Sequence, residues 1–265
     1  VVKVDYYYLG SMLFSSGSAA LLAAFLRVKE NPRLTLAWRL TMTSTSIWSF
    51  GRAVMSVAAT APVAMAWLRF SYAGSIWLAP LWLWVSYELT GRKVNRACFW
   101  AIVSTSAIFS VANFSPWFIG QVIPKLNFKF YDDSPGILFE IWSNSFTGFL
   151  IWSHVIVFRD MRKATGHQRN RLLAFFVSGI VGFGGSATTF PLVKDIGLYP
   201  FGVLGVSAST VLMSYSVLKH NVMDVNLAFR YGTIWISYVF MGFCLSLGPF
   251  VLLGARPHVV WLISL

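Results

Sequence analysis

Residues 36–89 decide the fold of this chain, and their sequence is LAWRLTMTSTSIWSFGRAVMSVAATAPVAMAWLRFSYAGSIWLAPLWLWVSYEL. Two apolar stretches, 36–58 and 63–89, are separated only by residues 59–62. Each stretch is longer than the roughly 20 residues that an α-helix needs to cross the hydrocarbon core of a bilayer. We therefore expect two antiparallel membrane helices joined by a short turn.

Six more stretches of the same kind surround this pair. They span residues 7–26, 97–118, 137–158, 172–190, 199–218 and 234–253, and a ninth begins at residue 259 and stops at residue 265. The composition agrees, since 57% of the residues are hydrophobic and 11% are charged, whereas a soluble domain averages about 25% charged residues. The predicted fold class is all-α: a polytopic membrane helix bundle with eight transmembrane helices and a truncated ninth.

The basic residues indicate how the bundle is oriented. The net charge is +12, and the loops, taken alternately, hold 14 Lys and Arg residues on one face and five on the other. Because basic residues stay on the cytoplasmic side, the face with 14 is predicted to be cytoplasmic and the N-terminus to lie outside. The same charge predicts attraction to anionic lipids of the inner leaflet, so nucleic acid is not an expected partner.

The longest predicted outer connection is residues 121–136, QVIPKLNFKFYDDSPG. Prolines at positions 124 and 135 interrupt it, its apolar residues alternate, and Asp132 and Asp133 precede a turn-like Ser-Pro-Gly. Breakers and alternation of this kind indicate turns and short extended segments. We expect a small hairpin or an interfacial cap over the bundle.

Three ionisable residues fall inside the predicted spans near the outer face. Arg52 and Arg69 lie about 9 Å below it by helical rise, and Glu140 lies about 5 Å below it. Charges in a membrane are costly and mark candidate sites, and two nearby arginines require an anion. Within the chain, Glu140 or the two loop aspartates would supply it. A bound anionic ligand is the other source, and it predicts an outward-facing polar pocket. The alternative is that the arginines reach the headgroups or form a structural network. The candidate ligand-binding residues are Arg52, Arg69, Glu140, Asn113 and Trp48.

Several chemistries have no matching motif. The sequence contains no phosphate-binding GxxxxGK[ST] loop, HExxH, CxxC or GxSxG, and the seventh span has no internal lysine that could hold a retinal Schiff base. Its two cysteines, Cys98 and Cys244, both lie in apolar stretches and suggest neither a disulfide framework nor a metal site. We therefore expect no cofactor, no metal and no catalytic residue in this chain.

Residues 190–230 carry a recognisable pattern, FPLVKDIGLYPFGVLGVSASTVLMSYSVLKHNVMDVNLAFR. The YPFG turn at 199–202 and the closing YSVLKHNVMDV at 215–225 resemble the end of the seven-helix N-terminal membrane region of bacterial sensor histidine kinases. Shorter pieces at 48–52, 67–70 and 169–185 are also similar to that family, so the resemblance covers about residues 7–230.

The resemblance implies a sensor region at 7–230. The chain then departs from the family pattern, because the apolar stretches at 231–265 predict additional transmembrane helices where family members usually continue into a cytoplasmic signalling module. The resemblance also implies a multi-pass protein of the bacterial cytoplasmic membrane that couples a ligand or a membrane state to a cytoplasmic output, with any kinase domain outside this chain. The predicted signal-exit segment contains Lys219, His220, Asp224 and Arg230. The alternative is a structural or accessory membrane subunit without a ligand of its own, and either interpretation allows partner subunits or a homodimer.

Overall fold

The computed structural model describes residues 4–25, 31–126 and 130–219. They all belong to one compact unit, Val1–Met223. The predicted eighth span and the beginning of the ninth lie outside the described residues.

Seven helices of at least 16 residues form the described part of the chain, and they follow the first seven predicted spans. They are α1 Tyr6–Phe25, α2 Pro32–Ser56, α3 Ala61–Thr90, α4 Arg96–Ala112, α5 Ile137–Met161, α6 Gly166–Ala187 and α7 Leu204–Lys219. The one-turn helix Phe190–Val193 and a 3-10 turn at Phe201–Val203 lie between α6 and α7.

Local sequence explains several of these helix ends. The Asn31 side chain accepts a hydrogen bond from the Leu34 N–H at 2.9 Å, and Pro32 opens α2. Asn95 caps α4 in a similar way through the Ala97 N–H. Gly91 ends α3 with a φ of 68°, a left-handed conformation that glycine adopts without steric penalty.

Three described segments combine the length and the apolar composition of a membrane span, namely Tyr6–Phe25, Ile137–Met161 and Gly166–Val193. Helices α2 and α3 have the required length, but α2 contains many Ser and Thr residues. Its hydroxyl groups bond within the helix, as Thr41 does to the Ala37 carbonyl and Thr45 to the Thr41 carbonyl. Most of the Ser and Thr side chains of α2 are buried against neighbouring helices, so these side chains avoid contact with lipid.

The helices pack in a closed ring. In order around the ring, α1 contacts α2, α2 contacts α3, α3 contacts α5, α5 contacts α6, α6 contacts α7, and α7 returns to α1. Helix α4 packs on the outside, mainly against α3. A ring of six helices leaves an interior that is lined by several elements at once, and the candidate site lies there.

The predicted small hairpin is present. Strands β1 Ile119–Lys125 and β2 Phe130–Pro135 pair antiparallel, with an irregularity between Ile119 and Gln121. The hairpin contacts α2, α3, α5 and the one-turn helix, so it covers one end of the ring. Although the fold is helical as predicted, this two-stranded sheet is part of it.

Candidate functional site: a hairpin-capped cavity

Arg52 of α2 is the residue around which the site is built. Only 3% of its surface is exposed. Its Nη1 donates a hydrogen bond to Oδ1 of Asp132, and its Nη2 donates to the Tyr72 hydroxyl at 3.2 Å. The same Nη2 lies 3.7 Å from Oδ1 of Asp133. The guanidinium therefore connects α2 to α3 and to the hairpin.

The two aspartates enter this arrangement from β2, and both are buried. The Tyr72 hydroxyl donates to Oδ2 of Asp133 at 2.7 Å, and the Asp133 N–H donates to Oδ1 of Asp132 at 2.9 Å. The four side chains form a closed polar cluster, which we call the Arg52 cluster: Arg52, Tyr72, Asp132 and Asp133. Buried charges are tolerated when they are paired and hydrogen-bonded in this way.

The charges of the Arg52 cluster do not balance, since two carboxylates face one guanidinium. Burial, together with the neighbouring Asp132 carboxylate, raises the pKa of Asp133 to about 7. Burial also disfavours ionisation of Asp132, but the Arg52 charge and hydrogen bonds outweigh it, so the pKa of Asp132 falls below its ordinary value. Near neutral pH, Asp133 therefore exchanges a proton while Asp132 stays ionised.

A cavity of about 70 Å³ lies inside the ring next to this cluster, and Arg52 and Tyr72 form part of its wall. Helices α2, α3, α5, α6 and α7 all contribute side chains to it, among them Trp48, Trp82, Trp142 and Phe146. Buried water occupies roughly 10–15 Å³ per molecule on this measure, so the space accommodates a handful of waters or one small organic molecule.

The comparison with protein families gives one match. The family model for the N-terminal 7TM region of histidine kinases matches residues 11–226. This chain belongs to that family. No curated protein and no solved structure matches the chain.

The family match confirms the resemblance that the YPFG and YSVLKHNVMDV segments indicated. Family membership and the apolar helices identify a membrane helix bundle. The family consists of the N-terminal membrane regions of histidine kinases, which are separate from the kinase output domain.

Within this 7TM region the predicted site residues separate into three places. Arg52 and Trp48 both line the cavity. Arg69 and Asn113 meet between α3 and α4, where the Asn113 Nδ2 donates to the Arg69 carbonyl at 2.8 Å. Glu140 forms an exposed ion pair with Lys194 at 3.1 Å.

The counter-charge of Arg52 is the hairpin pair Asp132 and Asp133, which was one of the two sources expected from the sequence. Glu140, the other source, is engaged with Lys194 near the surface. Lys219 is the last residue of α7. The other predicted signal-exit residues, His220, Asp224 and Arg230, lie outside the described residues.

Sequence reasoning missed Lys125, Ser75 and Trp82. Lys125 on β1 is buried, and its Nζ donates to the Leu192 carbonyl and to Oδ1 of Asp195, both at 2.8 Å, which ties the hairpin to the one-turn helix. Ser75 and Trp82 line the cavity. No sequence signal separates them from the many other Ser and Trp residues of an apolar chain.

Proposed function

We propose that this chain is the sensing part of a histidine kinase, in which the state of the hairpin-capped cavity sets the packing of the helix ring and α7 passes that packing on to a cytoplasmic output. The observation that carries the proposal is the position of Arg52. One buried side chain contacts the outer hairpin through Asp132 and also lines the cavity. A movement of the hairpin and the binding of a molecule in the cavity would therefore act on the same side chain, Arg52.

The route toward the output is short. Helices α6 and α7 both line the cavity, through residues such as Phe183 and Met213. They also approach each other closely, because a Cβ atom on Gly205 would lie 2.7 Å from the Val181 carbonyl oxygen. Helices in such close contact shift together, so a change in the cavity wall bears directly on α7, the helix that leads to residues 219–230.

Sensing requires two packing arrangements of the helix ring that bind the stimulus with different affinity. A ligand with equal affinity for both would not shift the equilibrium between them. The cavity wall comes from five helices, and this supports a site whose shape depends on their packing. We retain Arg52 and Trp48 as proposed ligand contacts because they line the cavity. A ligand-binding role for Arg69, Glu140 and Asn113 remains a prediction from their sequence positions.

In the proposed topology the N-terminus and the hairpin lie outside, and eight helices followed by the beginning of a ninth cross the bacterial cytoplasmic membrane. The basic face then meets the anionic inner leaflet. Partner subunits or a second copy of the chain would join the bundle through its lipid-facing sides.

Replacement of Tyr72 by Phe in the full-length protein tests the proposal. Tyr72→Phe removes the hydroxyl group between Arg52 and Asp133 while the ring remains packed against Phe118, Phe139 and Trp142. We expect the basal autophosphorylation rate in membrane vesicles to change by about fivefold or more, in the range of typical coupling free energies.

The matched control is Tyr87→Phe. Tyr87 lies on the same helix, toward its other end, and its ring contacts Trp152. It should keep the wild-type rate. If both variants fold and phosphorylate like the wild type, the Arg52 cluster does not control output and the proposed sensing route is wrong.

A further inference from the structure

The cavity contains hydrogen-bonding groups that no described residue satisfies. The Oγ atom of Ser75 and the Nε1 atom of Trp82 are buried and have no hydrogen-bond partner. Both residues line the cavity, and they are 5% and 3% exposed. An unsatisfied buried donor is destabilising, so these two groups mark places where a bound molecule would gain hydrogen bonds.

Three other polar side chains of the wall are already engaged. Thr45 donates to the Thr41 carbonyl, Ser186 to the Phe183 carbonyl and Thr189 to the Ser186 carbonyl. These bonds leave the three hydroxyl groups little capacity to hold water, because buried water needs two to four polar partners. At the hairpin end, the Arg52 Nε atom is also buried without a hydrogen-bond partner among the described residues. The remaining wall is largely aromatic and aliphatic, which suits an apolar body.

The charge at the hairpin end excludes an anion as the favoured occupant. Arg52 is neutralised by Asp132 and faces Asp133 as well. An anionic molecule would face the ionised Asp132 carboxylate and, above about pH 7, the ionised Asp133 carboxylate as well, in a setting of low polarity where repulsion between like charges is strong. This differs from the anionic ligand that the sequence predicts, because only the folded hairpin brings the two carboxylates to Arg52.

The spacing of the two donors indicates where the acceptors of a ligand would lie. Ser75 and Trp82 are seven residues apart on α3, so they lie on one face of the helix about 10 Å apart along its axis. A helical side chain leans toward the N-terminus, which brings the Trp82 ring toward Ser75. A compact molecule with one hydrogen-bond acceptor at each end would match the positions of these two donors.

We propose that the cavity binds a small, uncharged, mainly apolar molecule that carries hydrogen-bond acceptors at opposite ends, one for the Ser75 hydroxyl and one for the Trp82 indole N–H. This inference rests on the proposed sensing function for its biological meaning, but the binding itself is measured separately. It gives the ligand a chemical class: a diketone, diester or similar neutral compound.

The test uses the full-length protein in lipid nanodiscs with 5-fluorotryptophan incorporated, and 1,4-cyclohexanedione as the probe. The fluorine resonance of Trp142, a residue of the cavity wall, reports binding. We expect a saturable shift of this resonance. Ser75→Ala and Trp82→Phe should each weaken the affinity about threefold to tenfold, as the loss of one hydrogen bond does.

The chain offers matched control variants. Ser153 and Trp38 also have buried polar atoms without a hydrogen-bond partner, but neither lines the cavity. Ser153→Ala and Trp38→Phe should therefore leave the affinity for the dione unchanged. The hydrocarbon 1,4-dimethylenecyclohexane, which lacks the two oxygens, should bind the wild type and the Ser75→Ala and Trp82→Phe variants equally.

Two results would overturn the inference: no saturable shift of the Trp142 resonance with the dione, or equal dione affinity in the wild type, Ser75→Ala and Trp82→Phe. A saturable shift combined with autophosphorylation that never responds to Tyr72→Phe would instead reject the proposed sensing function and leave the ligand class standing. The two proposals therefore fail independently.

Discussion

At the residue scale, the Arg52 cluster combines an ion pair with a carboxyl group that titrates. Arg52 and Asp132 are both nearly inaccessible, so removal of either would leave an uncompensated buried charge, a change that typically costs about 3–5 kcal/mol. Asp133 differs from Asp132 in its hydrogen-bond donor. Asp133 accepts a hydrogen bond from the Tyr72 hydroxyl, whereas Asp132 accepts one from the Arg52 guanidinium. The Asp133 proton is therefore held by burial and by the adjacent carboxylate.

This difference predicts a pH dependence of stability. The pKa of Asp133 is about 7 in the folded protein and about 4 in an unfolded chain, so the fold favours the protonated form. The stabilisation is fully present below about pH 4 and is lost as the pH rises to about 7. The unfolding free energy, measured by SDS titration, should therefore fall from pH 5 to pH 7.5, and Asp133→Asn should remove most of this decline.

Asp160→Asn is the control for the titration. Asp160 forms an ion pair with Arg92 and does not belong to the Arg52 cluster. This variant should keep the wild-type decline between pH 5 and pH 7.5. A decline that persists unchanged in Asp133→Asn would contradict the assignment of the titrating group to Asp133.

At the element scale, the close contact between α6 and α7 depends on which positions of α6 are glycine. On α6 a Cβ atom at Gly182 would lie 2.7 Å from the Ser209 Cβ of α7, whereas one at Gly184 would meet no atom of the described residues within 4 Å. The small-residue spacing of Gly182 with Ser186 and of Gly205 with Ser209 indicates close packing from the sequence alone. The structure adds which glycine faces the neighbouring helix.

Alanine substitutions on α6 separate these two positions. Gly182→Ala should lower the unfolding free energy by about 1–3 kcal/mol, because the added methyl group overfills a close contact. Gly184→Ala should be neutral or stabilising by about 0.5–1 kcal/mol, since alanine is favoured over glycine in a helix. SDS titration of both variants checks the difference, and equal effects would contradict the close α6–α7 contact.

At the scale of the whole molecule, the hairpin and the basic loops are predicted to lie on opposite sides of the membrane. Gly197 and Lys163 are both exposed, in a loop after the one-turn helix and in the connection between α5 and α6. In a background with Cys98 and Cys244 replaced by Ser, Gly197→Cys should react with an impermeant maleimide in intact spheroplasts. Lys163→Cys should react only after permeabilisation, because the proposed topology places the basic face in the cytoplasm. The reverse pattern would invert the proposed orientation.

Much of the architecture follows from local sequence patterns. The helices were predictable from the length of the apolar stretches, and the hairpin at 119–135 was predictable from its proline breakers and alternating apolar residues. The partner of Arg52 was not, because the choice between Glu140 and the hairpin aspartates depends on a contact between residues 80 positions apart. A span or a turn is a property of neighbouring residues, whereas an ion pair between distant segments is not.

The sequence by itself therefore determined that this protein is a membrane helix bundle of the histidine-kinase 7TM family, since hydropathy, charge bias and family motifs are all local. Only the tertiary structure decided that the hairpin folds onto the ring, that Asp132 and Asp133 neutralise Arg52, and that Ser75 and Trp82 keep unsatisfied donors in a cavity. The physical reason is that burial and hydrogen-bond partners depend on which helices close the ring, and no single stretch of sequence contains that arrangement.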